Sequence, residues 1–409
     1  WLEYATALYI MDSTDGIGDL VESCGETEDP QKRVQLLALL ARSRDPRILS
    51  LAREAAAGDA DPALGSAIQA IGWVGDREDF GRLVELLASK DPEIVSFAAV
   101  SLGRLGYAEA IDPLTRLLDA LPAGGARPAV AGMGPPDLAA SLALAALGRE
   151  EATGRRVGYP QGASLMLYMF SAQRLAELGL PELSAAWLEQ YRTSSGPQRV
   201  LSLLPLSLGA GPAEVAGLLE QVSKVSSMQE RQMLVTALAE AGDPSAVPTL
   251  EALAREPSGA ELELTIAWAL GRCGKPLAPP ESARRGARSR SGMLHADEVL
   301  ARAGDEEARA WLRSIVRGEV QFRGLFMESL AGIQPGPSIR LQAAQALALC
   351  GDSEGQLALA GMLDSRDVME RRRAWTTLVR ATGLDVPYRP LAPRDELEQG
   401  KAAWIEALR

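Results

Sequence analysis

Apolar residues recur along this chain at intervals of three and four. Val34, Leu37, Ala38 and Ala41 make one such stripe, and Phe80, Leu83, Leu86 and Leu87 make another. Positions spaced this way line one face of a helix with 3.6 residues per turn. The first stripe lies in an alanine-rich stretch that leads into a turn, and the second lies just beyond a turn. The pattern predicts pairs of short amphipathic helices.

The turns repeat as well. Ala70-Ile-Gly-Trp-Val-Gly-Asp76, Ala237-Leu-Ala-Glu-Ala-Gly-Asp243, Val299-Leu-Ala-Arg-Ala-Gly-Asp305 and Ala346-Leu-Ala-Leu-Cys-Gly-Asp352 each close an apolar segment with Gly-Asp. With the turn residue as marker, the series is Arg44, Gly75, Gly106, Gly148, Gly179, Gly211, Gly242, Gly274, Gly304, Gly351 and Gly383. The steps are 31, 31, 42, 31, 32, 31, 32, 30, 47 and 32 residues, so the two long steps read as insertions between intact units. Glycine reaches the left-handed conformation that ends a helix, and the following aspartate can accept a backbone N–H bond to start the next one. Asp29-Pro30, Asp61-Pro62 and Asp91-Pro92 place an N-cap carboxylate before a first-turn proline, marking starts of first helices. One such pair cannot bury both of its stripes alone, whereas stacked neighbours can.

These residues predict an all-α solenoid of about eleven two-helix units. Residues 1–29 form a partial repeat and loop, in which Trp1 to Met11 has the character of a first helix. Repeats occupy 30–120 and 137–383, interrupted at 121–136 and 319–337, and residues 384–409 form a capping segment. The Ala-x-x-Leu-Gly-x-x-Gly-Asp turn resembles that of the bacterial HEAT-like repeat family, in its short class named after phycobilisome lyases. That resemblance runs from about Pro30 to Gly383 and implies a curved superhelix whose second helices line a concave face. The signatures of ankyrin and tetratricopeptide repeats are absent.

Composition agrees with helices: 47% of the 409 residues are apolar, only 5% are aromatic, and Leu and Ala dominate. The net charge of −12 argues against nucleic acid, whose binding draws on clustered Lys and Arg. Three cysteines without Cys-x-x-Cys spacing suggest neither a disulfide framework nor a zinc site, and Cys273 and Cys350, each just before a turn glycine, read as buried small residues. No run of 18 apolar residues exists, so no membrane span is expected. The chain opens on Trp1 rather than Met, which implies residues upstream, favours the cytoplasm only by default and leaves export open.

The interruptions are the candidate sites. Residues 121–136, LPAGGARPAVAGMGPP, read as a flexible loop. Between Gly274 and Gly304 the expected apolar second helix is replaced by a basic stretch with Arg284, Arg285, Arg288 and Arg290. The plainer reading of that stretch is a solvated loop, and the sharper one is a set of guanidinium groups offered to a carboxylate or phosphate of a partner. Residues 319–337 carry Val320, Phe322, Leu325, Phe326, Leu330 and Ile333, an extra amphipathic helix packed on the array or one that docks a partner through Phe322 and Phe326. Beyond Gly383, prolines at 387, 390 and 393 predict an extended run, followed by a helix from about Arg394 that covers the last repeat with Leu397, Ala402, Trp404, Ile405 and Leu408.

No catalytic constellation emerges. His295 is the single histidine, so every triad or two-histidine metal site must use it, and its place in a first helix reads as structural. Asp12 to Asp19 is similar in outline to a calcium loop, but Met11 stands where the first carboxylate is needed. Gly271-Arg-Cys-Gly-Lys275 lacks the Ser/Thr and the preceding strand of a phosphate loop. Neither metal nor cofactor is expected. The sequence therefore reads as a non-catalytic scaffold or adaptor subunit that binds protein partners on its concave face. The family resemblance also implies a bilin lyase or isomerase subunit, and the fold class a HEAT-like DNA-repair glycosylase, as alternatives.

Overall fold

A computed structural model describes residues 14–58, 61–121, 135–154, 178–256, 258–278, 280, 290–319 and 339–409. Among these residues every regular element is helical. The helices pair as the spacing predicts. Pro30–Ser43 is followed by Leu49–Ala56, Leu64–Val74 by Phe80–Leu86, Pro92–Leu105 by Ile111–Ala120, and Met228–Ala241 by Val247–Ala254. Glu306–Val316 and Ser353–Gly361 are second helices of later units. The chain is an all-α solenoid of two-helix repeats.

The turns show why the units are separate. Nine of the eleven markers take positive φ: Arg44 and Gly106, Gly148, Gly179, Gly242, Gly274, Gly304, Gly351 and Gly383. Gly75 does not, with φ −68°; a Cβ there would stand 2.6 Å from both the Asp79 carboxylate and the Ile71 carbonyl, so it is crowding that demands glycine. At the remaining marker the helix ends one residue earlier, at Ala210, and the Gly211 N–H donates to Glu214. The aspartates after the turns cap as expected. Asp305 accepts from the N–H groups of Glu307 and Ala308, and Asp352 from those of Glu354 and Gly355. Several second helices open with a 3₁₀ turn, such as Pro46–Ile48 and Pro244–Ala246, which the apolar spacing does not predict.

First helices of neighbouring units stack on one another, and so bury their stripes. In the first unit of the chain the core runs through Leu36, Leu37, Leu40, Ile68, Ile71, Leu83, Leu102 and Leu114. Leu37 and Ala41 are buried as the stripe requires, but Ala38 is exposed and Leu36 and Leu40 take its place. The helices approach closely where residues are small: a Cβ on Gly103 would lie 2.8 Å from the Ala143 backbone, and Ser101 donates to the Ile68 carbonyl at 2.8 Å.

Ion pairs staple consecutive second helices. Arg53 reaches Asp76 at 2.8 Å and Asp79 at 2.8 Å, Arg77 reaches Glu109, Arg313 reaches the N-cap Asp352 at 2.7 Å, and Arg317 reaches Glu354 at 2.7 Å. In each case a cap or first-turn carboxylate of one repeat answers an arginine of the repeat before it. Negative charge there also favours the helix dipole.

The described residues form two compact units. The first holds residues 14–154 and Arg389–Gln399; the second holds residues 178–319 and 339–388 with Gly400–Arg409. In the first, the Arg394 N–H donates to the Gly106 carbonyl at 2.8 Å, and Leu391 and Ala392 are buried. In the second, Lys401 pairs with Asp364 at 2.9 Å and Trp404 is fully buried. The final helix does begin at Arg394, but Ala402 on it is exposed.

Candidate functional site

Of the candidate binding residues singled out from sequence, only Arg290 lies in the described part of the molecule. Arg284, Arg285, Arg288, Phe322 and Phe326 lie outside the described residues, as do 122–134 and 320–337 of the two insertions. Arg290 opens the helix Arg290–Arg302.

Among the described residues a dense charged constellation lies in the second unit, on the ends of four first helices. Trp268 and Arg272 are one turn apart on Ala260–Arg272, and His295, Glu298 and Arg302 follow at spacings of three and four on Arg290–Arg302. Glu298 gathers them. Its carboxylate accepts from Trp268 Nε1 at 2.8 Å, from Arg272 Nε at 2.9 Å and Nη2 at 2.9 Å, and from Arg302 Nη2 at 3.0 Å. Arg272 is 5% exposed and Glu298 2%. Burial alone would push the Glu298 carboxyl up, but Arg272 and Arg302 hold it well below the usual carboxylate range. An ion pair this deep is expensive to break from one side, because the survivor is left buried and unpaired.

The same layer reaches a helix far along the chain. Arg373 on Val368–Thr382 pairs at 3.2 Å with Glu240 on Met228–Ala241, and Arg380 Nη2 donates to the carbonyls of Glu240 at 3.4 Å and Ala241 at 3.1 Å. Those carbonyls belong to the last turn of a helix, where no intrahelical donor remains. The Arg380 guanidinium lies flat on Gly242, where any Cβ would collide with it. Glu240 also stays ionised: burial raises its pKa, and Arg373, Arg272 and Arg380 together more than reverse the effect.

His295 stacks on Trp268, ring centroids 3.8 Å apart and planes within 15°. Burial pushes its pKa down to about 4, with Arg272 adding to the effect and Glu298 opposing it. At neutral pH it is an uncharged aromatic neighbour of an ion pair, a poor match for a general base poised near the working pH. Beside it, burial raises the Asp297 carboxyl to about 6. The thiols are held protonated, Cys273 up to about 11 by burial, so none has the depressed pKa of a nucleophile. Among the described residues no group of three or more His, Cys, Asp or Glu side chains is placed to hold a metal ion, and no helix is long and apolar enough to cross a membrane.

The first unit offers two features of a different kind. Trp73 is sandwiched between the guanidinium groups of Arg44 and Arg104, 3.8 and 3.9 Å from its ring centroids, which joins three consecutive repeats by cation–π contacts. An open groove of about 820 Å³ lies where inter-repeat loops meet, lined by Pro62, Leu64, Arg82, Glu85, Lys90 and Phe97 among others.

One register relates these features. Trp73, Arg104, Glu240, Arg272 and Arg302 each stand two residues before a turn marker. Lining the repeats up on the turn would have shown polar and aromatic residues where Ala146 and Leu349 keep the plain pattern in other units.

Comparison with known proteins supports the repeat type. A family profile described as HEAT repeats matches residues 64–133, a stretch that contains Leu64–Val74, Phe80–Leu86, Pro92–Leu105 and Ile111–Ala120. The chain thus contains HEAT-like repeats. No curated protein matches it. Among solved structures, the crystal structure of an engineered protein from the Northeast Structural Genomics Consortium is 17% identical over 90% of this chain and 99% of that one, with a TM-score of 0.29, too low to bear on function.

Proposed function

We propose that this chain is a non-catalytic scaffold or adaptor that binds a protein partner, and that its second unit presents the binding surface. One observation carries the proposal. The large apolar side chains left exposed among the described residues are Met228, Leu277, Trp311, Leu357 and Val379, and all five belong to the second unit. Trp311 (36% exposed) and Leu357 (46%) sit on Glu306–Val316 and Ser353–Gly361, second helices of consecutive repeats that touch each other. Exposed tryptophan and arginine are the residue types that dominate interface energetics, and Arg313 and Arg317 share the first of these helices or its end. The chemistry of the site agrees, because its single histidine is neutral and its thiols are protonated. The 31-residue period and Gly-Asp turn support the finer resemblance to the short bacterial class of repeat.

The test is quantitative affinity capture from the native cell with the full chain and with a Trp311→Asp, Leu357→Asp double variant. Because Trp311 also hydrogen-bonds Asp297, the double variant is used only if it keeps the helical circular dichroism of the parent, and Leu357→Asp alone serves beside it. A partner retained by the parent and reduced at least tenfold by the variant supports the proposal. Recovery of the same proteins by both chains contradicts it.

A further inference from the structure

The groove of the first unit is built by consecutive repeats. Its walls are the first turns of Leu64–Val74 and Pro92–Leu105 and the end of Phe80–Leu86. Small residues give it depth: Gly65, Ser66, Ala88 and Ser89 all line it. A Cβ on Gly65 would stand 2.8 Å from the Phe97 ring, so the ring lies directly against the helix backbone and forms part of the floor. Val34, Leu64, Leu86 and Ile94 add to the apolar lining. A volume of about 820 Å³ is that of a site enclosing one ligand or a few residues of a partner segment.

Charge around the groove is uneven. The carboxylates of Asp61, Glu85, Asp91 and Glu93 line it against the cations of Arg82 and Lys90. Three of those carboxylates are engaged. Asp61 accepts from the Ala63 N–H at 2.7 Å and Asp91 from the Glu93 N–H at 2.8 Å, and both caps answer the positive ends of their helices. Glu85 meets Arg82 at 3.4 Å, and the Arg82 Nε donates to the Ala56 carbonyl at 2.9 Å. Glu93 is left over. It is half-buried, no cation among the described residues pairs with it, and burial and the nearby Asp91 both raise its pKa.

We propose that this groove docks a segment of a partner protein in which a large apolar side chain neighbours a lysine or arginine. The apolar side chain covers Phe97 and Ile94, and the cation meets Glu93. Apolar floor and charged wall act together, so a segment with only one of the two features binds poorly. An acidic segment is rejected, because it would bring like charge to a carboxylate that already lacks a counterion. The net charge of −12 attracts the same basic class at longer range. The groove belongs to the first unit, and its occupancy does not depend on Trp311 or Leu357 of the second.

The experiment is calorimetric titration of the full chain with the capped tetrapeptide acetyl-Leu-Lys-Leu-Lys-amide. The expected result is one saturable site per chain. Acetyl-Leu-Glu-Leu-Glu-amide, which keeps the apolar groups and reverses the charge, should bind at least tenfold more weakly, as should acetyl-Ser-Lys-Ser-Lys-amide, which keeps the charge alone. Two variants place the site. Glu93→Gln removes the unpaired charge and should weaken the first peptide at least threefold. Lys90→Glu, at an exposed position on the rim, makes the groove more acidic and should tighten it, a gain that no loss of folding could produce. Leu357→Asp should leave the affinity unchanged, which separates this groove from the second-unit surface. The inference is overturned if the basic peptide does not bind saturably, if the acidic peptide binds as tightly, or if neither Glu93→Gln nor Lys90→Glu changes the affinity.

Discussion

Gly242 ends a helix at φ 59°, a conformation that costs an L-residue about 1 kcal/mol, and a Cβ there would push the end of the exposed, flexible Arg380 side chain off the Glu240 and Ala241 carbonyls. Gly242→Ala is therefore expected to destabilise the chain by about 1–2 kcal/mol, most of it from the turn, as read by urea denaturation. Gly351, also at positive φ, has no neighbour within reach of a Cβ, so Gly351→Ala should show only the smaller conformational effect. His295 makes a second prediction. Its folded pKa of about 4 lies below the ordinary 6.5, so the unfolded chain binds more protons between those values. The stability contributed is present above pH 6.5 and is lost as pH falls towards 4. Between pH 7 and 5 the loss should be about 2 kcal/mol, and His295→Phe, which keeps an aromatic ring against Trp268, should remove that part of the pH dependence. A parent and variant with the same pH profile would contradict it. At this scale the sequence favours a structural or surface role for His295, because no second histidine exists to build a site with it. It could not show Trp268 as the partner, because a stack between residues on different helices depends on how repeats pack.

At the scale of elements, the Gly-Asp turn does most of the specifying. Its glycine ends one helix, its aspartate starts the next, and at Asp76 and Asp352 the aspartate also receives an arginine from the preceding repeat. Asp352 shows all three links: the Gly351 turn before it, two N–H groups capped by it, and Arg313 at 2.7 Å. Asp352→Asn keeps a capping oxygen and loses the charge, whereas Asp352→Ala loses both. Asn should cost well under 1 kcal/mol and Ala about 1–2 kcal/mol in denaturant stability; equal costs would mean that the ion pair, not the cap, carries the effect. The helices and their order were legible because turn chemistry and apolar spacing are local. The 3₁₀ openings of second helices, the early end at Ala210 and the exposure of Ala38 were not, since each reflects how a helix seats against its neighbour. Pairings such as Arg373 with Glu240, 133 residues apart, leave no trace in a local pattern.

At the scale of the molecule, the repeats assemble into two units that differ in what they show to solvent. Among the described residues the first leaves no large apolar side chain exposed, holds Trp73 between two arginines and receives Arg389–Gln399 at the Gly106 turn. The second exposes Trp311 and Leu357 and concentrates charge around Glu298. Repeat arrays tolerate such division of labour because each repeat is stabilised by its neighbours alone, so a surface can vary without disturbing the scaffold. The central claim is that the second unit binds a protein partner through its second helices. Hydrogen–deuterium exchange of the full chain, alone and with the captured partner, tests this most directly. Slowed exchange confined to Glu306–Val316 and Ser353–Gly361 with their flanking turns is the predicted result; unchanged exchange in those helices, with protection in Leu64–Val74 or Pro92–Leu105 instead, would contradict it.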